Sequence, residues 1–393
     1  MAGLRSGVQK DMAYFWVKEA KIQVSHVWHQ WRERLSGGAD VSKLKEHDEI
    51  KVFTANDFSL ELMHLTRYGT TEKTAGFVSS DAEMPVKFEQ ASLQDWWTQE
   101  QWETFVDGAK PTLLRGGGLK QIFRHDQQTL ALITLESDNR CRFAALINVT
   151  ARKEVFRAPC LPPVDELDFS SIGGAWTPVS GGILMSLGTP SDDPRVAGLA
   201  QDAASPYGKV LFFKDERLKR GASQPSDFSI HSLGHRNPQG MVDINHRLYS
   251  IDHGPKGGDE INRLEEGANY GWPLYSLGSS YQGKPHDPQG PSDRFRAPLS
   301  AFVPSVAPSD ITACPTALAQ RYAPLNCVLI TTLRGMSLII GLIDEQDRVL
   351  SLERIPVDMR LREFVRLADD RIAVATDGYG VFEIAIADMA VRH

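Results

Sequence analysis

A chain of 393 residues with 41% apolar content can bury a large core, and its net charge of −7 without a basic run excludes nucleic acid as the main partner. No apolar run approaches the about 18 residues of a membrane-crossing helix, so no span is expected, and the polar start Met1–Lys10 shows no export-signal pattern. With Gly 32 and Pro 22 spread throughout, many turns are required.

Val17, Ala20, Val24, Val27 and Trp31 recur at alternating spacings of three and four, with Asp11 placed as an N-cap and Gly37-Gly38 as a stop. This predicts a helix over 11–35, either packed on the main domain or serving as a stalk or pairing helix. Residues 1–40 are therefore read as a helical extension and 41–393 as the main domain. Lys51–Thr54 and Phe58–Leu62 alternate like strands, and Trp96, Trp97 and Trp102 lie in a polar stretch suited to a short helix. Beyond them, β-rich runs follow at 129–135, 142–149, 182–187, 209–213, 327–332, 337–343 and 371–376, separated by turn residues. That pattern is all-β, a sandwich, barrel or propeller, and no strand-to-helix alternation supports a parallel sheet. No clean repeat is visible, but a propeller with divergent blades needs none; six blades of about fifty to sixty residues each fit within 45–390.

Cys141, Cys160, Cys314 and Cys327 allow two disulfides in any of three pairings, of which 141–160 and 314–327 are short local closures. An oxidising compartment would form them and a cytosol would keep thiols. None sits at zinc-site spacing.

Chemistry concentrates in three turn-rich segments: Gly234–Gly240, Asp252–Glu260 and Ala268–Pro273. Glycines there let backbone groups approach a ligand closely. Arg236 offers a fork of donors and Asn237 an amide beside it. Gly254 and Pro255 lie where carbonyls can point outward as calcium ligands, and Glu260 offers a carboxylate for a second cation with a carbonyl from Tyr270. Farther on, Arg334 and the pair Arg360 and Arg362 add cations; at i and i+2 on a strand the pair projects to one side. Taken singly, Gly-Gly-Asp-Glu is an ordinary hairpin turn, and two arginines so spaced are a solvated face.

Taken in order, these segments resemble the soluble sugar dehydrogenases that use pyrroloquinoline quinone, the glucose/sorbosone or aldose sugar dehydrogenase family. The likeness begins upstream at Gly173-Gly174, Gly182–Gly188, Gln201-Asp202 and Gly208-Lys209. It continues through Val303–Ser305, Leu333–Gly335, Arg360–Glu363 and Thr376-Asp377, and spans about residues 115–386. The resemblance implies an all-β, six-bladed propeller with the quinone over its central channel. It implies quinone contacts from Arg236, Asn237, Arg334, Arg360 and Arg362. Calcium would be held by the Gly254 and Pro255 carbonyls, with a second, structural calcium at Glu260 and Tyr270. It further implies a sugar substrate oxidised at its C1 hydroxyl, a separate electron acceptor, and a periplasmic or extracellular location.

One departure matters for the chemistry. The family's proton-accepting histidine lies in a His-x-Gly-Gly-Arg-Leu segment, and the matching stretch here is Ser171–Trp176, with serine at the histidine position and Ala175 at the arginine position. A serine hydroxyl is a poor base near neutral pH, whereas imidazole is well matched. Gly116–Leu119 is the nearest match to an early segment that carries glutamine in the family, and it has none. Asp168 is the nearby carboxylate that could substitute as base. Two functions stay open: a quinone- and calcium-dependent oxidoreductase, or a catalytically silent calcium-binding propeller that binds a glycan or a protein. A third, a hydrolase-type propeller, would need a histidine pair, and His235 and His253 read instead as satisfied loop residues.

Overall fold

The computed structural model describes the strands at 49–53, 58–66, 75–78 and 86–89 and, with short interruptions, residues 109–388. The chain divides into two compact units, Met1–Ile50 and Lys51–His393. The helix expected over 11–35 and the tryptophan-bearing stretch near 96–102 lie outside the described residues.

Within the second unit the strands form successive antiparallel sheets. Blade 1 runs Gly118–His125, Gln128–Glu136, Arg142–Asn148 and Lys153–Arg157, with Lys110–Pro111 as a short addition. Blade 2 runs Gly173–Val179, Gly182–Leu187, Lys209–Lys214 and Ser229–Leu233. Blade 3 runs Pro238–Ile244, Arg247–Asp252, Asp259–Arg263 and Ser300–Phe302. Blade 4 runs Pro308–Ala313, Asn326–Thr332, Ser337–Ile343 and Val349–Pro356. Blade 5 runs Leu361–Arg366, Ile372–Thr376 and Gly380–Asp388, and takes Phe58–Thr66 from the start of the unit as a further strand.

The fold is thus an all-β propeller, and each of the β-rich runs read from the sequence is a strand. The blade count is corrected from six to five among the described residues. Among the described residues between Thr66 and Gly118 there are Lys110–Pro111, which joins blade 1, and a two-stranded sheet, Ala75–Val78 with Val86–Glu89. Strands of four residues paired only with each other do not make a blade. Dividing chain length by blade length cannot detect a stretch that builds so little sheet.

Middle strands are apolar on both faces because blades 2, 3 and 4 are each packed between two others. Leu130, Leu132, Leu146 and Phe156 of blade 1 meet Ile183, Met185, Leu211 and Phe213 of blade 2 in one core cluster. Tyr249, Ile251 and Ile261 of blade 3 meet Ile311, Val328 and Ile330 of blade 4 in another. Continuous apolar runs are the signature of such doubly covered strands. Tight hairpins join the first two strands of blades 1 and 3: Asp126-Gln127 and Asn245-His246 all have positive φ, the backbone that two-residue turns between twisted strands demand. Cys141–Cys160 and Cys314–Cys327 are disulfides with Cα separations of 5.1 and 5.4 Å, so the local pairing is the one realised.

The first strand of every blade lines the central channel, where a cavity of about 410 Å³ is bounded by Gln121, Trp176, Met241, Asp310 and Phe364 among others. The loops that lead into these strands gather at one mouth of the channel, and there the candidate site is found.

Candidate functional site

A second, larger cavity of about 810 Å³ opens at that mouth. Its walls are the segments just before the inner strands: Gly116-Gly117 for blade 1, Ser170-Ser171 for blade 2, Arg236-Asn237 for blade 3, Ser305 and Ala307 for blade 4, and Arg360 for blade 5. The 253–257 loop and Leu333-Arg334 complete it. Ser171, Asp168, Arg236, Asn237, Gly254, Pro255, Arg334 and Arg360, singled out from the sequence, therefore share one cavity. Arg362, Glu260 and Tyr270 do not line it.

Asp252 fixes the 236–237 segment. Its carboxylate accepts from the Asn237 amide at 2.6 Å and the Arg236 amide at 3.2 Å. Asn237 is buried, and its Oδ1 accepts from the Gly173 amide at 3.1 Å and from Gln239 at 2.7 Å. Glycine is required where these loops touch: a Cβ on Gly188 would stand 2.4 Å from the Ser171 carbonyl and 2.5 Å from that of Arg236.

Arg236 is held from every side. Its guanidinium donates to Asp192 at 3.0 and 3.2 Å and to the carbonyls of Gly254 at 3.2 Å and His253 at 3.4 Å. It also lies over the Trp272 ring at 5.2 Å. Only 11% of its side chain is exposed. Asp192 was missed from the sequence, because nothing local marks a carboxylate that pairs across 44 residues.

Arg334 is exposed and has no side-chain partner among the described residues, and the same holds for Lys256, a cation that sequence reasoning missed. Arg360 and Arg362 do project together, but onto Asp377. Arg362 binds it with both nitrogens at 2.9 and 2.6 Å, and Arg360 at 2.8 Å. Burial pushes the Asp377 carboxyl up, yet hydrogen bonds and charge from the two arginines outweigh it and hold the group below the usual carboxylate range.

The proton-handling positions are tied down. Asp168 caps the short helix Phe169–Ser171 through the Ser170 amide at 2.9 Å and pairs with Arg115 at 3.2 Å. Among the described residues the Ser171 hydroxyl has no hydrogen-bond partner, and the one histidine of the cavity wall is His253. His253 bonds the Pro308 carbonyl through Nε2 at 2.6 Å, and burial depresses its pKa. His235 bonds Ser232 at 2.8 Å and stacks on Tyr270 at 4.7 Å.

The 254–260 loop is braced by Asp259, whose carboxylate accepts from the amides of Gly254, Val306 and Ala307 and from the Ser305 hydroxyl. Glu260 takes a hydrogen bond from Asn262 at 3.1 Å, and burial, reinforced by Asp252 and Asp259, pushes its carboxyl up to about 8. The Tyr270 hydroxyl donates to the Arg263 carbonyl and accepts from the Glu265 amide.

The residues fit the groups that the sequence suggests. The cavity wall carries Arg115, Arg236, Lys256, Arg334 and Arg360 against Asp168 and Asp259, a surplus of positive charge suited to a multiply anionic small molecule. The carbonyls of His253 and Gly254 accept from the Arg236 guanidinium, so the Gly254 carbonyl, one of the expected calcium ligands, is engaged by a side-chain cation. Among the described residues no cluster of three or more His, Cys, Asp or Glu could hold a metal. A cation here would rely on carbonyl, amide and hydroxyl oxygens as well.

Fold and site together define a β-propeller with a cationic, loop-built cavity at its channel mouth. Residues 172–382, more than half of the chain, match the family model described as Glucose / Sorbosone dehydrogenase, and the chain belongs to that family. Aldose sugar dehydrogenase YliI of Escherichia coli is 35% identical over 113 residues, 26% of this chain and 29% of that protein. The chain spans less than half the length of the curated relatives it matches. Among solved structures, the soluble aldose sugar dehydrogenase of Escherichia coli in its apo form superposes with a TM-score of 0.64 at 19% identity, over 84% of this chain and 99% of that one. The PQQ-bound aldose sugar dehydrogenase of Streptomyces coelicolor gives 0.55 at 20% identity, over 83% and 98%. Both likenesses are of fold.

Proposed function

We propose that the chain is a quinone- and calcium-dependent oxidoreductase acting on the C1 hydroxyl of an aldose sugar or a related alcohol, and passing electrons to a separate acceptor. The observation that carries this reading is the gathering of Arg236, Asn237, Arg334, Arg360 and the Gly254-Pro255 loop around one cavity of about 810 Å³. Pyrroloquinoline quinone, when bound, supplies the two-electron acceptor. Arg334 and Lys256 attract its carboxylates as exposed cations, and Arg360 adds charge from the far wall. The Asn237 amide orients polar edges, and the Gly254 and Pro255 carbonyls hold the calcium. The neutral walls formed by Gly116, Gly117 and Ala307 let a flat ring approach the backbone.

The substrate proton has to leave toward Ser171 or solvent. Losing a positioned base costs on the order of a hundred- to ten-thousand-fold in rate, so turnover is slow. The two disulfides suit the oxidising periplasmic or extracellular setting that we propose for the chain. A second reading, a catalytically silent calcium-binding propeller acting as a glycan- or protein-binding module, is favoured by one observation: Asp168 is committed to Arg115 and the Ser170 amide.

The test is a titration of chelator-stripped protein with pyrroloquinoline quinone, with and without calcium, followed by quinone absorbance. Calcium-dependent stoichiometric binding is expected. Absence of binding at tens of micromolar quinone leaves the binding module as the better account.

A further inference from the structure

Lys209 opens the third strand of blade 2 and is 0% exposed, a place where an ammonium is rare unless paired. No carboxylate pairs with it among the described residues. Its three N–H groups go to backbone carbonyls instead: Leu199 at 2.7 Å, Ala200 at 2.9 Å and Tyr207 at 2.9 Å. Burial pushes the group down to about 8, against the charge of Asp202, so it stays an ammonium at neutral pH. Leu199 and Ala200 belong to the helical turn Gly198–Gln201, and a lysine is well suited to the carbonyls at the end of such a turn. Here it gathers backbone oxygens around one positive point, as a bound monovalent cation would. An apolar side chain of equal volume would fill the same space without desolvating a charge, but it could not collect the three carbonyls.

The platform under Arg236 hangs from that turn by two routes. Gln201 and Asn269 exchange amide hydrogen bonds at 3.1 and 2.7 Å, and Gln201 Nε2 also donates to the Trp272 carbonyl at 2.6 Å. Asn269 Oδ1 accepts in addition from the Gly271 amide at 2.9 Å. On the second route the Ala200 carbonyl accepts from the Gly234 amide at 3.1 Å, and the Gly234 carbonyl accepts from the Trp272 amide at 2.9 Å. Ala200 also packs with Ala197 and Trp272 in one core cluster. Trp272 is buried, and its indole N–H donates to Thr189 at 3.0 Å. Its ring carries the Arg236 guanidinium at 5.2 Å, in the wall of the channel-mouth cavity. From Lys209 to Arg236 every link is therefore a hydrogen bond or a packed ring.

We infer that Lys209 is a positioning residue of the channel-mouth site: its ammonium gathers the Leu199, Ala200 and Tyr207 carbonyls and so fixes, through Gln201 and Trp272, the platform from which Arg236 meets an anionic ligand. The part that concerns the ligand rests on the proposed function. The fixing of Trp272 does not.

The experiment measures amide hydrogen exchange by mass spectrometry, and affinity for pyrroloquinoline quinone in calcium, for the unmodified chain, Lys209→Met and Lys209→Ala. Exchange is expected to quicken over 199–207 and also over 268–273, where the Tyr270 and Trp272 amides donate to Leu233 and Gly234. It stays unchanged in the Asn326–Thr332 strand of blade 4. Quinone affinity falls about tenfold, as for a contact displaced rather than deleted. Propylammonium replaces the side-chain atoms lost in Lys209→Ala and should restore protection over 268–273, whereas 1-propanol, equally long and uncharged, should not. Unchanged exchange over 268–273 overturns the inference. Equal rescue by 1-propanol does so too, since the lysine would then only fill space, and so does exchange that quickens as much in blade 4. Should the Lys209 variants not fold, Gln201→Met cuts the same route at a half-buried residue. It is expected to quicken exchange over 268–273 by itself, and its failure to do so overturns the inference. An unmodified chain that binds no quinone sinks the enzymatic reading and leaves the exchange result to decide this one. Quinone bound equally by the unmodified chain and Lys209→Met overturns the link to Arg236 and leaves the enzymatic reading standing.

Discussion

Replacing Asp192 with asparagine should loosen Arg236 and make the cavity a better anion receptor. In the native arrangement one carboxylate takes two nitrogens of the guanidinium, at 3.0 and 3.2 Å, while the other side of the group is spent on the Gly254 and His253 carbonyls. The Arg236 side chain is 11% exposed and that of Asp192 33%, so solvent screens the pair from one side only. Charge-assisted hydrogen bonds contribute about 1.5–3 kcal/mol when shielded and exposed pairs under about 1, so this pair should stabilise the fold by about 1–2 kcal/mol. Spread over a chain of this size, that lowers the melting temperature by a few degrees at most. An anionic quinone gains instead, because the guanidinium no longer shares its charge with a protein carboxylate; a gain of about 1.4 kcal/mol is tenfold in affinity. The assay is quinone titration of both proteins in calcium at low and high salt, where the difference should narrow as screening rises. Unchanged affinity refutes the argument. Weaker binding refutes it too, since it would show that Asp192 orients Arg236 for the ligand rather than competing with it.

The other predictions concern the base, the disulfides, the loops and pH. Ser171→His places an imidazole at the wall of the cavity and should raise sugar-dependent dye reduction by about a hundredfold or more in quinone-loaded protein, read as kcat against an unchanged quinone affinity. Reducing Cys141–Cys160 and Cys314–Cys327, whose partners lie 19 and 13 residues apart, should cost roughly 3 kcal/mol for each bridge by loop-closure entropy, visible as an earlier denaturant midpoint. Gly254→Ala drives a Cβ to 2.2 Å from the Gly257 carbonyl and should abolish calcium-dependent quinone binding while the far-ultraviolet circular dichroism stays that of a propeller. Asp310 is half-buried at the channel wall, and desolvation pushes its carboxyl from 3.8 to about 7 despite hydrogen bonds from the Phe364 and Ile311 amides. The folded state keeps this proton longer than the unfolded chain, so its stabilising contribution is complete below about pH 4 and is lost as pH rises through about 7. Melts across that window should flatten in Asp310→Asn.

Strands were legible where they are covered on both faces. Runs such as 129–135 and 337–343 are apolar without interruption because blades pack on either side, and nothing else in the composition competes with that signal. The sixth blade was implied by the family resemblance and allowed by length, and neither registers that 75–78 and 86–89 pair only with each other. The channel-mouth residues between 234 and 260 were legible because glycine, proline and polar side chains crowd into consecutive loops. Their restraints were not. Asp252 clamps Arg236 and Asn237 by accepting backbone amides, and any carboxylate on any nearby strand would look the same in sequence. The role of Asp192 depends on a loop of blade 2 reaching across to blade 3, a tertiary fact without a local pattern.

On the proposed function, these restraints would separate binding from turnover. The anion-facing cations Arg334 and Lys256 are exposed and unengaged among the described residues, while Asp168 is already spent on a helix cap and an arginine. Turning Asp168 toward a substrate would cost the Ser170 amide cap of the 169–171 helix that carries Ser171. The base therefore has to be rebuilt at position 171 itself. A Ser171→His variant that binds quinone as the unmodified chain does, yet still fails to reduce dye with any aldose, would show that the missing element lies in sugar recognition and would point to Ala175, where the family carries arginine.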